Sequence, residues 1–126
     1  MAALTSDRDT PRRDGIGFVF EAGEHIFAGA MVCLDAAGKL VPASATAGLT
    51  PVVGVAQESG DVGQAVTVYR GLFLFLAATG DAPGLPQVGT ECFAADDQTV
   101  QKTQGGNAPR AGIVRDANDS HVWVEI

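Results

Sequence analysis

The apolar residues of this chain fall in short runs that are separated by glycine, proline and acidic turns. Runs such as Phe18–Phe20 and Val66–Tyr69 are rich in β-branched and aromatic residues, as strands are. Between two later runs, Asp35-Ala-Ala-Gly38 has the composition of a hairpin turn. Glycine and proline recur too often for long helices. The pattern therefore predicts an all-β fold.

The second half of the chain repeats the layout of the first half at an offset of about 60 residues. Gly29–Val41 contains an apolar run, a polar turn and a second apolar run, and Gly89–Gln101 has the same order. A glycine interrupts the next apolar run in both halves, at Gly54 and at Gly112. Glycine inside a strand marks a bulge or the close approach of another backbone. We therefore predict two similar β-units packed as one body.

The stretch from Thr90 to Gln104 contains neither glycine nor proline, and its sequence fits either of two structures. A short helix could start at Cys92, or two strands could flank a turn at Asp96-Asp97-Gln98. The match with the first half favours the two strands.

Two strongly apolar runs are candidates for a core or a contact surface. Leu72–Leu76 has no polar position, which is typical of a strand covered on both faces by a second sheet or by a neighbouring subunit. The final run, Val122–Ile126, predicts a strand with its tryptophan on the face opposite the two valines. The residues expected in the core or a subunit interface are Leu72, Phe73, Leu74, Phe75, Leu76 and Trp123.

The beginning of the chain differs from the rest. Almost nothing apolar lies between Leu4 and Ile16, and the segment contains Thr10-Pro11 and Asp14-Gly15 as breakers. Such a segment cannot bury enough surface to order itself. We expect residues 1–15 to form a flexible N-terminal arm that orders against a partner, and residues 16–126 to form a single β-rich domain. A frayed terminus is the alternative.

The charge of the chain restricts its partners. The net charge is −7, and the first 14 residues hold equal numbers of basic and acidic side chains, so the excess of acid lies in the remainder. Nucleic-acid binding depends on clustered Lys and Arg, so we expect no nucleic-acid partner. The N-terminus has no apolar signal segment, and no run approaches the roughly 20 residues that cross a bilayer. We expect a soluble cytoplasmic product without a membrane partner.

Two cysteines and two histidines are the main candidates for chemistry. Cys33 and Cys92 lie inside apolar runs at nearly matching places, which predicts buried free thiols rather than a disulfide. His25 and His121 adjoin turns, and no nucleophile motif accompanies them. The ligand spacings of zinc and calcium sites and the dinucleotide fingerprint are missing as well. We therefore expect neither enzymatic activity nor a metal or cofactor.

Several motifs, taken in order, resemble the capsid decoration proteins, or cement proteins, of tailed bacteriophages. They are the hairpin Gly29–Pro42 (GAMVCLDAAGKLVP), the strands Pro51–Ala56 (PVVGVA) and Gly63–Val68 (GQAVTV), and Gly71. The similarity continues through Val88-Gly-Thr-Glu-Cys-Phe, Ala111-Gly-Ile-Val114 and Trp123-Val-Glu, and it covers about Phe18 to Ile126.

The resemblance implies a compact β-barrel or β-tulip-like body that assembles as a homotrimer. It implies a structural virion protein on the outer surface of the expanded capsid, where major capsid protein subunits meet, made in the bacterial host cytoplasm. It also implies that the arm adds a strand to a sheet of the major capsid protein. The capsid-binding residues of the arm would be Leu4, Arg8, Arg12, Arg13 and Ile16.

A β-rich adhesive or carbohydrate-binding surface module is the alternative function. Such modules present aromatic rings on one face, and here that platform would consist of Tyr69 and Trp123. Core packing explains both aromatic residues more simply.

Overall fold

The computed structural model describes Ala3, Thr5, Ser6 and residues 16–126, and over this part of the chain it confirms an all-β fold. Ten strands and one short 3-10 helix, Leu85–Gln87, are present there. The strands are β1 (Gly17–Glu21), β2 (Met31–Leu34), β3 (Leu40–Pro42), β4 (Gly54–Ala56), β5 (Ala65–Tyr69), β6 (Leu72–Ala77), β7 (Glu91–Ala94), β8 (Thr99–Gln101), β9 (Arg110–Ala117) and β10 (His121–Glu125).

The strands form two five-stranded units with the same topology. The first unit has the order β1-β5-β4-β2-β3, and a parallel bridge from Ala22 to Leu40 links its two ends. The second unit is a closed barrel in which β6 follows β10 and pairs with β8 in parallel. Starting from β6, the order around the barrel is β6-β10-β9-β7-β8. This is the strand order of the first unit with five added to each strand number. The two similar β-units predicted from the repeat are therefore present.

The turns that join β2 to β3 and β7 to β8 are built in similar ways. The Asp35 N–H donates to the Lys39 carbonyl (2.9 Å), and the Asp35 carboxylate accepts the Ala37 N–H (2.9 Å). In the second unit the Asp96 carboxylate accepts the Gln98 N–H (2.9 Å). Short acidic side chains stabilise tight turns by accepting backbone N–H groups two residues on. Two strands therefore occupy the region where a helix was the alternative.

Gly54 and Gly112 lie where two backbones approach closely. A Cβ atom on Gly54 would lie 2.6 Å from the Tyr69 carbonyl oxygen, and one on Gly112 would lie 2.2 Å from the Glu125 carbonyl oxygen. Both distances are far below ordinary contact, so only glycine fits. The close approach that the repeat predicts is confirmed at both positions.

The strand register shows how the positions of the two cysteines are related. Val32 lies opposite Gly54 in the first unit, and Cys92 lies opposite Gly112 in the second unit. Cys92 is therefore equivalent to Val32, and Cys33 occupies the next position along its strand. Side chains alternate between the faces of a strand, so the two thiols occupy different positions within the repeat.

Two apolar clusters hold the units together. One cluster fills the first unit and includes Ile26 and Leu40. The other contains Met31 and Cys33 of the first unit together with side chains of the barrel, among them Val114. Backbone hydrogen bonds also cross between the units, for example from the Met31 N–H to the Asp97 carbonyl (2.9 Å). The shared cluster makes the two units one packed body.

Candidate functional site

Strand β6 has an inner face in the core and an outer face in solvent. Phe75 is 6% exposed, and Phe73 packs against the same core cluster. The alternate residues face outward, with Leu72, Leu74 and Leu76 exposed by 52%, 47% and 41%. Exposed leucines at three successive outward positions are unusual, because native sheets normally place polar residues there.

Trp123 on the adjacent strand β10 extends this apolar surface. It lies opposite Leu74 in the register and is 40% exposed, while Val122 and Val124 beside it are fully buried. The predicted orientation of the tryptophan is therefore confirmed. We call the outward side chains Leu72, Leu74, Leu76 and Trp123 the β6 face. Their exposed apolar area is on the order of 400 Å², a size at which a patch on a monomer often marks a contact surface.

The expectation that Leu72–Leu76 is covered on both faces within the domain holds only for the inner face. Phe73 and Phe75 lie against the core, whereas no described part of the chain covers the β6 face. Cover by a neighbouring subunit stays a prediction for these four side chains.

The equivalent strand of the first unit, β1, has no such face. The parallel pairs Ala22–Leu40 and Ala77–Val100 align β1 with β6. In this alignment β1 reads GFVFE and β6 reads LFLFL. The two inward phenylalanines are the same, while the outward glycine, valine and glutamate of β1 are all leucine in β6. The apolar outer face is therefore a feature of the second unit alone.

The predicted arm begins beside the β6 face. Ile16 is 53% exposed, and its carbonyl accepts the Arg70 N–H (2.7 Å). It shares a surface depression of about 400 Å³ with Leu72 and with Ile126, whose N–H donates to the carbonyl of Gly71 (2.8 Å). Among the predicted capsid-binding residues, those outside the described residues are Leu4, Arg8, Arg12 and Arg13.

A cleft of about 320 Å³ lies between the two units. Apolar side chains line it together with Arg70, Arg110 and Ile126. The Arg110 guanidinium also donates to the Glu91 carboxylate (2.8 Å), so a counter-charge already lies beside it. The described residues that line the cleft include no histidine, cysteine or hydroxyl side chain. The cleft therefore has none of the usual groups for nucleophilic catalysis.

The two histidines form separate surface contacts. His25 Nδ1 lies 2.6 Å from the Asp61 carboxylate, and His121 Nδ1 lies 2.8 Å from the Ser120 hydroxyl. Nucleophilic catalysis by a hydroxyl needs the nucleophile, the base and an orienting group in one hydrogen-bonded chain. Within the described residues, His25 is bonded to a carboxylate but to no hydroxyl, and His121 is bonded to a hydroxyl but to no carboxylate.

The cysteines are buried free thiols, as predicted from the sequence. Burial raises the pKa of Cys33 to about 12 and that of Cys92 to about 11. The nucleophile is the thiolate, so both groups are unreactive near neutral pH. Within residues 16–126 and the three described residues before them, no group of three or more His, Cys, Asp or Glu side chains is arranged to hold a metal ion.

The two aromatic residues of the alternative function lie in different units. Tyr69 lies on β5 in the first unit, and its ring lies over Gly17 of β1. Trp123 lies on β10 in the second unit, beside the leucines of the β6 face.

In the part of the chain that the structure describes, no helix is long and apolar enough to span a membrane.

Comparisons of this chain with known protein families, with curated proteins and with solved structures gave no match.

Proposed function

We propose that this chain is a structural virion protein of a tailed bacteriophage. It would bind the outer surface of the expanded capsid and stabilise it at the junctions between major capsid protein subunits. The observation that supports this most strongly is an exposed apolar sheet face on a packed double unit, next to the point where the predicted arm begins. A body with such a surface, and no reactive arrangement in its described part, suits binding better than catalysis.

The arm would supply the contact with the capsid. Ile16 immediately precedes β1, which pairs with β5 along its length and is followed by Ala22, the residue that bridges to Leu40 of β3. A segment that leaves the body at this point can extend toward a neighbouring protein. An extended segment that joins a partner's sheet gains affinity from backbone hydrogen bonds, without a large side-chain anchor. The arm residues would thus pair with a strand of the major capsid protein.

Stabilisation would follow from mass action. A protein that binds the expanded capsid and not its dissociated subunits shifts the equilibrium toward the expanded form. Many copies on a symmetric lattice multiply a modest contact into a large total effect. The net charge of −7 would limit unspecific association at high local density. No chemical step is required of the chain.

The test is co-sedimentation with expanded capsids of the phage that encodes this chain. The full chain should pellet with expanded capsids and not with unexpanded ones. A chain that lacks residues 1–15 should stay folded by circular dichroism and lose most of its capsid binding, because the strand addition is gone.

A chain with residues 1–15 in scrambled order is the matched control, because it keeps the length, composition and charge of the arm. It should bind nearly as poorly as the deletion. If the full chain fails to pellet with expanded capsids, the proposal is wrong. Equal pelleting by all three chains would show that the arm has no part in binding.

A further inference from the structure

Within the described residues, part of the backbone edge of β6 beside its exposed leucines is unpaired. The Ile126 N–H donates to Gly71 (2.8 Å), and the Ala77 N–H donates to Ser120 (3.0 Å). In an antiparallel pair the residues that exchange hydrogen bonds alternate, so the odd-numbered residues of β6 bond β10. The N–H and C=O groups of Leu72, Leu74 and Leu76 therefore point to the opposite edge.

Only the end of this edge is occupied within the described chain. The Leu76 N–H donates to the Gln98 carbonyl (2.9 Å), and the pairing of β6 with β8 starts at Leu76 and Thr99. Leu72 and Leu74 precede that pairing, so no described strand lies beside them. These two residues offer both exposed apolar side chains and unpaired backbone groups.

Native sheets usually protect such an edge. Charged side chains, proline and bulges on an edge strand prevent pairing with other molecules. β1 carries Glu21 and the small residue Gly17 at its outward positions, whereas β6 has no charge, proline or bulge from Leu72 to Ala77. The second unit thus lacks the protection that the equivalent strand of the first unit has.

We infer that two copies of this chain associate by antiparallel pairing of their β6 edges. A strand edge is self-complementary under a two-fold axis. Leu72 of one copy would lie opposite Leu74 of the second copy, and the two symmetric pairs would exchange about four backbone hydrogen bonds. The two β6 faces would then join into one apolar surface across the axis.

The chemistry and charge of the seam fit a second copy. Pairing of the two β6 edges brings Leu72 and Leu74 of one copy beside Leu74 and Leu72 of the other, so apolar side chains meet across the axis. The strand itself is uncharged, and the nearby Glu125 carboxylate already accepts a hydrogen bond from Arg115 (3.1 Å). Two acidic chains therefore meet at a seam without charge repulsion of its own.

This inference does not depend on the proposed function, because it concerns the purified chain alone. It also differs from the homotrimer that the resemblance implies, because edge pairing about a two-fold axis gives a dimer. Mass in solution distinguishes the two.

The experiment measures the mass of the purified full chain by light scattering and sedimentation equilibrium, with Leu74→Asp compared against Val19→Asp. Val19 is the equivalent residue of the first unit and is 62% exposed. The wild type and Val19→Asp should have the mass of two chains. Leu74→Asp should weaken the dimer by at least about 100-fold, because a carboxylate then lies against Leu72 at both symmetric positions of the seam. Leu74→Thr, which suits a strand, should weaken it less while staying folded.

Amide exchange tests the backbone pairing directly. The N–H groups of Leu72 and Leu74 have no acceptor in the described chain, so they should be protected in the dimer and exchange rapidly in Leu74→Thr at low concentration. The Val19 N–H should exchange at the same rate in both states. Higher salt should tighten the dimer, because it screens the repulsion between two acidic chains.

Several outcomes would overturn the inference. If the wild-type chain is monomeric at about 0.1 mM, any association between two copies is too weak to be the inferred dimer. A mass of three chains, or a dimer that survives in Leu74→Asp, would place the contact elsewhere. Loss of the dimer on removal of residues 1–15 would show that the arm, and not a second β6, occupies the edge.

Discussion

Replacing Gly112 with alanine should open the closed barrel where β9 meets β10. The new Cβ would lie 2.2 Å from the Glu125 carbonyl oxygen, 2.9 Å from its carbonyl carbon and 3.0 Å from Val124 Cγ1. The first two of these atoms are backbone, so no side-chain rotation relieves the contact. The oxygen lies about 1 Å inside the ordinary contact distance. The two strands must therefore separate by a comparable amount.

The expected loss of stability follows from this displacement. Overpacking of a well-packed site costs about 1–3 kcal/mol. Separation of the strands also weakens roughly two ladder hydrogen bonds, each worth about 1 kcal/mol. We expect Gly112→Ala to lower the free energy of unfolding by about 3–4 kcal/mol, a large part of the roughly 5–15 kcal/mol of a typical domain. The melting temperature should fall by roughly 10–15 °C.

Urea unfolding followed by tryptophan fluorescence is the assay. Trp123 is the single tryptophan and lies on β10, next to the contact. Gly105→Ala is the control, because a Cβ there meets nothing within 4 Å. It should change stability by less than about 0.5 kcal/mol, as surface substitutions usually do. If Gly112→Ala is as stable as this control, the close approach of β9 and β10 is wrong.

Two further predictions concern the core. Between pH 9 and pH 11 the unfolded thiols ionise while the buried ones keep their protons, since the pKa of Cys33 is raised from 9.0 to about 12 and that of Cys92 to about 11. The free energy of unfolding should therefore fall as the pH rises above 9, by up to about 1.4 kcal/mol per pH unit for each thiol. Urea unfolding should show a shallower decline with pH in Cys33→Ala than in the wild type. Equal slopes in the two proteins would contradict this prediction. Phe73→Asp should abolish folding because it places an unpaired carboxylate against the core cluster, whereas Val62→Asp, on an exposed turn, should not; a soluble Phe73→Asp chain with wild-type circular dichroism would refute the inward position of Phe73.

The repeat, the turns and the close glycine contacts could be predicted from the sequence because each depends on local chemistry. Acidic turns such as the one at Asp35 form from neighbouring groups, and Gly54 and Gly112 stand out inside apolar runs. The order of strands in the barrel depends on contacts between distant residues, which no local pattern contains. The structural equivalence of Cys92 with Val32 agrees with the sequence repeat, because the two residues come three positions after Gly89 and Gly29 respectively.

The sequence could not decide which residues of β6 face inward and which face outward. Periodicity of two is read from the alternation of apolar and polar residues, and Leu72–Leu76 has no polar residue to show it. The alternation of leucine and phenylalanine was the available signal, because both inward positions carry the larger aromatic ring. Among the described residues, the edge beside Leu72 and Leu74 has no partner strand because β8 begins to pair only at Leu76, and the sequence does not show where this pairing begins.

In the inferred dimer, the difference between the two halves would limit how many copies of this protein can associate. If both units carried the same apolar strand edge, each molecule would have two such edges and could polymerise into open-ended fibres. In this chain β1 has Gly17 and Glu21 at the outward positions of its edge, whereas β6 has three leucines at the equivalent positions. Each molecule would thus have one such edge, and pairing with a second copy would occupy it. Installing leucines at Gly17, Val19 and Glu21 would be expected to turn a discrete particle into a filament.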